Sequence, residues 1–228
     1  MMNFLILAAL IMLAGCNQQA ILQKPVRLNH EAVLFQGEIT EVTLTTSHHD
    51  GSLADRINVV LEVPSETVLI HCLGKAGWTA TDLLTFISLS LEVKDILRNH
   101  SYLAAPISSL YLFGRNQDLG FEIEDGPSPR QRHHIRLWHS PFDKKNEQIW
   151  FGAATYDTNV DWKHWTHQTN HHIDEERDFF MKGLQEEKCV TKIREVMSNP
   201  SSLGSGIFSD GKVMIITLAT DPLRGLND

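Results

Sequence analysis

Seven of the twelve histidines in this chain, His133, His134, His139, His164, His167, His171 and His172, fall within forty residues. They are interleaved with Asp157 and with Arg132, Arg136 and Arg177. Imidazoles and a carboxylate at one place can hold zinc, manganese or iron. The same groups can also supply a general base oriented by a carboxylate. Alternation over residues 132–138 sends Arg132, His134, Arg136 and Trp138 to one side of a strand. His133, Ile135, Leu137 and His139 go to the other side, and the aliphatic residues mark that side as the core face. His133 and His134 therefore cannot both serve one site unless a bulge intervenes. The polar stretch 140–148 reads as a long hairpin loop, and an antiparallel return places Tyr156 and Asp157 beside Arg132, His133 and His134. Trp162, Trp165, His167, His171 and His172 follow just beyond.

The candidate metal ligands are thus His133, His134, Asp157 and His167, and the candidate catalytic residues are Asp157, His167 and Arg177. Arg132, Arg136 or Arg177 would hold an anionic group, since guanidinium forks suit phosphate. Neither His-His pair has the i, i+4 spacing of the helical zinc motif. Surface histidines with one or two satisfied core histidines would give the same pattern, so no cofactor is required and a divalent metal stays open. Asp174, Glu175 and Glu176 open a helix, where they complement its dipole. Arg177 sits near the inward stripe with Ile173 and Met181, and needs a carboxylate partner such as Asp157. Gly114, in Gly-Arg-Asn-Gln-Asp, suits a turn in which Arg115 and Asp118 pair locally. No nucleophile elbow, phosphate-cradling loop or dinucleotide fingerprint is present.

The elements that must position these residues follow from periodicity. Residues 32–46 read as a strand pair or one bent strand, 48–52 as a turn, and 57–63 as a strand ended by Pro64. Ser65 is the N-cap of a helix over 66–75 with Val68, Leu69, Cys72 and Leu73 inward. A longer helix is expected over 81–98 and another over 174–188. Strands are expected over 109–113, 119–124, 133–138, 149–156 and 213–218, the last entered through the Ser209-Asp210-Gly211-Lys212 turn. Grouped strands and helices indicate an α+β fold, a mainly antiparallel sheet with two to three packed helices in a single domain after a signal peptide.

Residues 4–14 are almost wholly apolar, too short to span a bilayer, and run into Leu13-Ala14-Gly15-Cys16. That is the build of a secretory segment and cleavage site, although Met1-Met2-Asn3 has no basic residue; a buried N-terminal helix is the alternative. Leu-Ala-Gly-Cys resembles the lipobox of bacterial lipoproteins, which implies acylation (diacylglycerol and palmitate) at Cys16 and a membrane anchor. The chain then divides into a signal peptide (1–15), a lipidated tether (16–27) and a folded domain (28–228). A formal charge of −8 argues against nucleic acid. Cys72 and Cys189 could pair in an oxidising periplasm or be two separate buried thiols. With no Cys-x-x-Cys, thiolate zinc sites and thioredoxin-like chemistry are excluded.

Several segments, in order, resemble the LssY C-terminal domain family over residues 55–220. They are Asn58-Val59-Val60-Leu61, Ala76-Gly77-Trp78, and Ser109 to Arg115 with Gln117-Asp118. Arg132 to Trp138, Trp150 to Thr155 with Asp157, and Thr166-His167 with Asp174, Glu176 and Arg177 continue the match, and the Ser209-Asp210-Gly211 turn agrees. Members of that family often accompany PAP2-type phosphatases or DedA-like membrane proteins, which implies work at the cell envelope on lipids or lipid-linked phosphates. The resemblance brings no assigned catalytic residue, and His171 and His172 fall outside its pattern. Two functions of different class follow. One is a non-catalytic binding or accessory module, lipid-anchored and periplasm-facing, that engages an envelope lipid, glycan or protein. The other is a metal-dependent, phosphoesterase-like hydrolase using His133 or His134, Asp157 and His167. Asn17 after the cysteine favours the outer membrane under enterobacterial-type sorting.

Overall fold

Residues 59–63, Val-Val-Leu-Glu-Val, carry branched side chains at consecutive positions, so a strand here needs cover on both faces. The computed structural model describes residues 30–35, 38–81, 107–125, 131–141, 146–161, 166–169, 172–197 and 208–220, with 30–43, 158–161 and 166–169 as backbone only. In chain order the elements are β1 (His30–Phe35), β2 (Glu38–Thr43), β3 (Thr45–Ser47), β4 (Leu53–Arg56), β5 (Val59–Val63), α1 (Glu66–Lys75) and β6 (Thr79–Ala80). Then come β7 (Tyr111–Leu112), β8 (Arg115–Asn116), β9 (Leu119–Glu124), β10 (Arg132–His139), β11 (Gln148–Asp161), β12 (Thr166–Thr169), α2 (Ile173–Glu186), β13 (Val190–Met197) and β14 (Lys212–Leu218).

An eight-stranded sheet runs β13-β14-β5-β11-β10-β9-β6, with β12 also paired to β11. Every pairing in it is antiparallel except β14 with β5. On one face, α1 and α2 cover a core that includes Val59, Leu61, Leu69, Leu73, Trp78, Ile135, Leu137, Phe180 and Ile216. On the other, the four-stranded sheet β4-β3-β7-β8 covers Val60, Trp138, Phe151, Ala153, Val213 and Ile215. Both faces of β10 are therefore buried, not only the aliphatic one.

With fourteen strands against two helices among the described residues, the fold is mainly β, which corrects the α+β expectation. The helix expected over 81–98 lies outside the described residues beyond Thr81. Five strands outside the expected ranges, β4, β6, β8, β12 and β13, enlarge the β content. In β13 the apolar Val190, Ile193 and Val196 recur every third position, and a register shift between Val190 and Lys192 accommodates the odd phase. Strand β12 is short and wholly polar in sequence, and it pairs across another irregularity at Asp157 and Asn159.

Helix α1 begins where expected: the Ser65 hydroxyl accepts the Val68 N–H at 3.3 Å. The Cys72 and Cys189 sulfurs are bonded, tying α1 to the junction of α2 and β13. Asn58, fully buried, locks the centre. Its side-chain amide donates to the carbonyls of Ala154 and Ile173, and its Oδ1 accepts the Ala154 N–H at 2.9 Å. One side chain thus joins β5, β11 and the start of α2.

Candidate functional site on the central hairpin

The β10–β11 hairpin brings Tyr156 and Asp157 beside Arg132, His133 and His134 as expected, in a register that sets Arg132 opposite Asp157, His133 opposite Tyr156 and His134 opposite Thr155. His133 and His134 consequently leave opposite faces of the sheet and enter two different environments.

On the four-stranded-sheet face, His134 is buried and its Nε2 lies 3.0 Å from Oδ2 of Asp157. An ionised carboxylate can only accept, so this contact places a hydrogen on Nε2. The other ring nitrogen, Nδ1, faces Oε2 of Glu122 at 3.7 Å. Glu122, 1% exposed, accepts from Arg132 through its other oxygen at 2.7 Å. Burial raises the Glu122 carboxyl above its ordinary range, and the Arg132 hydrogen bond opposes that rise. One turn of pleat along β10, Arg136 donates to Asp55 Oδ2 at 3.0 Å and to the Ser108 carbonyl at 3.2 Å. Burial likewise raises Asp55, against the pull of Arg136.

On the helical face, His133 Nδ1 meets Glu176 Oε2 of α2 at 2.7 Å. Its ring stacks on Phe179 with centroids 3.9 Å apart and planes 10° from parallel, and Tyr156 tilts against it at 4.7 Å. The Tyr156 hydroxyl donates to Asp125 Oδ2 at 2.7 Å, which pushes the phenol up to about 12. His133 Nε2 stands 4.0 Å from the same carboxylate oxygen.

Arg177 does not meet Asp157, as the sequence had suggested. Its guanidinium donates to both oxygens of Asp210, at 2.8 and 3.3 Å, to Asp178 at 2.9 Å and to Asp174 at 3.1 Å. The reason is geometric: α2 lies on the face of β11 opposite to Asp157, and the 209–212 turn reaches the start of α2 instead. Burial works against this charge, but the hydrogen bonds to Asp210 and Asp178 prevail and hold its proton more tightly than usual.

Of the candidate ligands, then, His134 and Asp157 adjoin, and His133 is separated from them by the sheet. The backbone of His167 pairs with Val160 in β12, and its side chain lies outside the described residues, as do Cys16, Trp162, Trp165, His164 and His171. Among the described residues no group of three or more His, Cys, Asp or Glu side chains is arranged to hold a metal. Sequence reasoning passed over Glu122, Glu176, Asp55 and Asp125. A signal exists for Glu176, which shares the inward i, i+3, i+4 stripe with Ile173, Arg177 and Phe180.

The family model described as LssY C-terminus matches residues 38–213. The chain belongs to the LssY C-terminal family. No curated protein and no solved structure matches it. The segments that carry the resemblance have structural work in this LssY C-terminal domain. Asn58 joins three elements, Gly152 lets β5 and β10 approach, and Arg177 closes the 209–212 turn onto α2. The Arg132-His133-His134-Ile135-Arg136 stretch lies on β10, between β11 and β9, with the buried carboxylates of Asp157 and Glu122 on its two sides.

Proposed function

We propose that this LssY C-terminal domain is a non-catalytic binding or accessory module of the cell envelope, held to the membrane by acyl chains on Cys16. It faces the periplasm, on the outer membrane by the Asn17 criterion, and its partner is an envelope lipid, glycan or protein. One observation supports the binding reading above the enzymatic one. Among the described residues, the imidazole and guanidinium groups of the candidate site are engaged with carboxylates of the protein itself: His133 with Glu176, His134 with Asp157, Arg132 with Glu122, Arg136 with Asp55, and Arg177 with Asp210. Such pairs lock strands and helix together and leave these groups committed to the fold. The Cys72–Cys189 bond supports an oxidising compartment. No described helix is long and apolar enough to cross a membrane.

A second reading, a metal-dependent hydrolase acting on an envelope phosphoester, is favoured by one contact, the adjacency of His134 and Asp157 beside Arg132 and Arg136. Metal content separates the two. The full chain, purified without a His-tag or chelator, is analysed by mass spectrometry alongside His134→Ala and His167→Ala. Near-stoichiometric metal in the parent, lost in both variants, would replace the binding module with the hydrolase. A folded, metal-free protein is the expected outcome. For the anchor, labelled palmitate is expected to enter the parent and not Cys16→Ser; equal labelling of both would remove Cys16 from the account.

A further inference from the structure

Eleven buried side-chain nitrogen and oxygen atoms have no hydrogen-bond partner among the described residues, and four of them, Glu122 Oε2, Arg132 Nε, His134 Nδ1 and Thr155 Oγ1, belong to residues that adjoin across β9, β10 and β11. Their nearness follows from register. His134 lies directly opposite Glu122 on β9 and directly opposite Thr155 on β11, and Arg132 is two residues along β10 on the same face. Orphaned buried polar atoms cost free energy, each on the order of 1–3 kcal/mol, so four in one row call for an occupant.

The chemistry of the four atoms says what that occupant is. His134 Nε2 carries the hydrogen given to Asp157, so in the neutral ring Nδ1 offers a lone pair. Glu122 Oε2 offers another, and the two acceptors face each other at 3.7 Å, too far for a hydrogen bond and wrongly matched for one. Arg132 Nε offers a hydrogen, and the Thr155 hydroxyl can donate one as well. Two acceptors and two donors are the complement of a single water molecule. A metal ion would satisfy the acceptors but be repelled by the Arg132 guanidinium. We propose that Glu122, Arg132, His134 and Thr155 form a buried binding site for one water molecule. The water gives its hydrogens to His134 and Glu122 and receives those of Arg132 and Thr155. It makes Asp157, His134, water, Glu122 and Arg132 one continuous hydrogen-bonded chain across β11, β10 and β9.

The test uses the full chain with its disulfide intact. Thr155→Val keeps the shape of the side chain and removes the hydroxyl, and its effect has opposite signs in the two cases. If the water is bound, the variant takes away one of its partners, and the melting temperature falls by roughly 3 °C. If the site is dry, the variant removes an orphaned hydroxyl, and the melting temperature rises or stays level. Thr155→Ser, which keeps the hydroxyl, is expected to recover at least half of the drop; a drop as large as that of Thr155→Val would overturn the proposal. A crystal structure is expected to show one peak within hydrogen-bond reach of His134 Nδ1 and Glu122 Oε2. An anomalous peak there, or direct contact between the two atoms with no density between them, would equally overturn it.

Discussion

Arg177 on α2 grips Asp210 with a two-pronged hydrogen bond, Nη1 to Oδ1 at 2.8 Å and Nη2 to Oδ2 at 3.3 Å, across thirty-three residues of chain. The guanidinium side chain is almost wholly buried, whereas Asp210 is partly open to solvent. The same Asp210 carboxylate accepts the Lys212 N–H, and Asp174 accepts from Ser209 and from the Asp210 N–H. The turn into β14 is therefore built around a cation supplied by the helix.

Removing the cation should cost more than removing one of its partners. Arg177→Met leaves three carboxylates facing one another without their shared counter-charge, and about 3 kcal/mol of stability is expected to go. Asp210→Asn keeps the shape and leaves Asp174 and Asp178 in place, so roughly 1 kcal/mol is expected. Urea titration followed by circular dichroism reads both, and equal losses would show that the bridge is not the organising contact.

Gly152 is the point where β5 and β10 close on β11. A Cβ built there would stand 2.5 Å from Val59 Cγ2 and 3.1 Å from both Ile135 Cδ1 and Leu137 Cδ2. Gly152→Ala is expected to destabilise the domain by about 1–3 kcal/mol through overpacking. Adding Val59→Ala opens the space, so the double variant should be more stable than the sum of the two single losses predicts. Strict additivity in a denaturation cycle would contradict this packing.

The Cys72–Cys189 bond closes a loop of 117 residues. On chain-entropy grounds a loop of that size stabilises by roughly 4–5 kcal/mol, less whatever structure the reduced unfolded chain retains. Reduction, or Cys72→Ala with Cys189→Ala, should lower the urea midpoint strongly. Non-reducing mass analysis of the parent should find no free thiol at either position; two alkylatable thiols in the native protein would refute the pairing.

His71 on α1 is buried with neither ring nitrogen partnered. Burial lowers its pKa from the ordinary 6.5, and the charge of Lys75 adds to the effect. A base lowered in the folded state binds its proton more readily when unfolded. Its contribution is intact above pH 6.5 and is lost as the pH falls below that value. His71→Phe should therefore show a shallower loss of stability than the parent between pH 7 and 5. Parallel pH profiles would remove His71 as the cause.

The Ser65 cap, the extents of α1, α2 and β9, and the hairpin return that brings Asp157 beside Arg132, His133 and His134 were all legible in the residues. Each is decided locally, by a capping side chain, by a 3.6 or 2.0 period, or by a loop that leaves one return path. The separation of His133 from His134 was legible for the same reason, since adjacent strand residues must point apart. What could not be read is who stands opposite each of these groups. Glu176 reaches His133, Asp55 reaches Arg136 and Asp210 reaches Arg177 from elements 43, 81 and 33 residues away. Burial on both sheet faces, with helices over one and a small sheet over the other, selects those partners, because a charge removed from water must find its counter-charge wherever the packing brings one. The sequence by itself determined the chemistry carried by the central hairpin and the family it belongs to. Tertiary packing decided that this chemistry is turned inward.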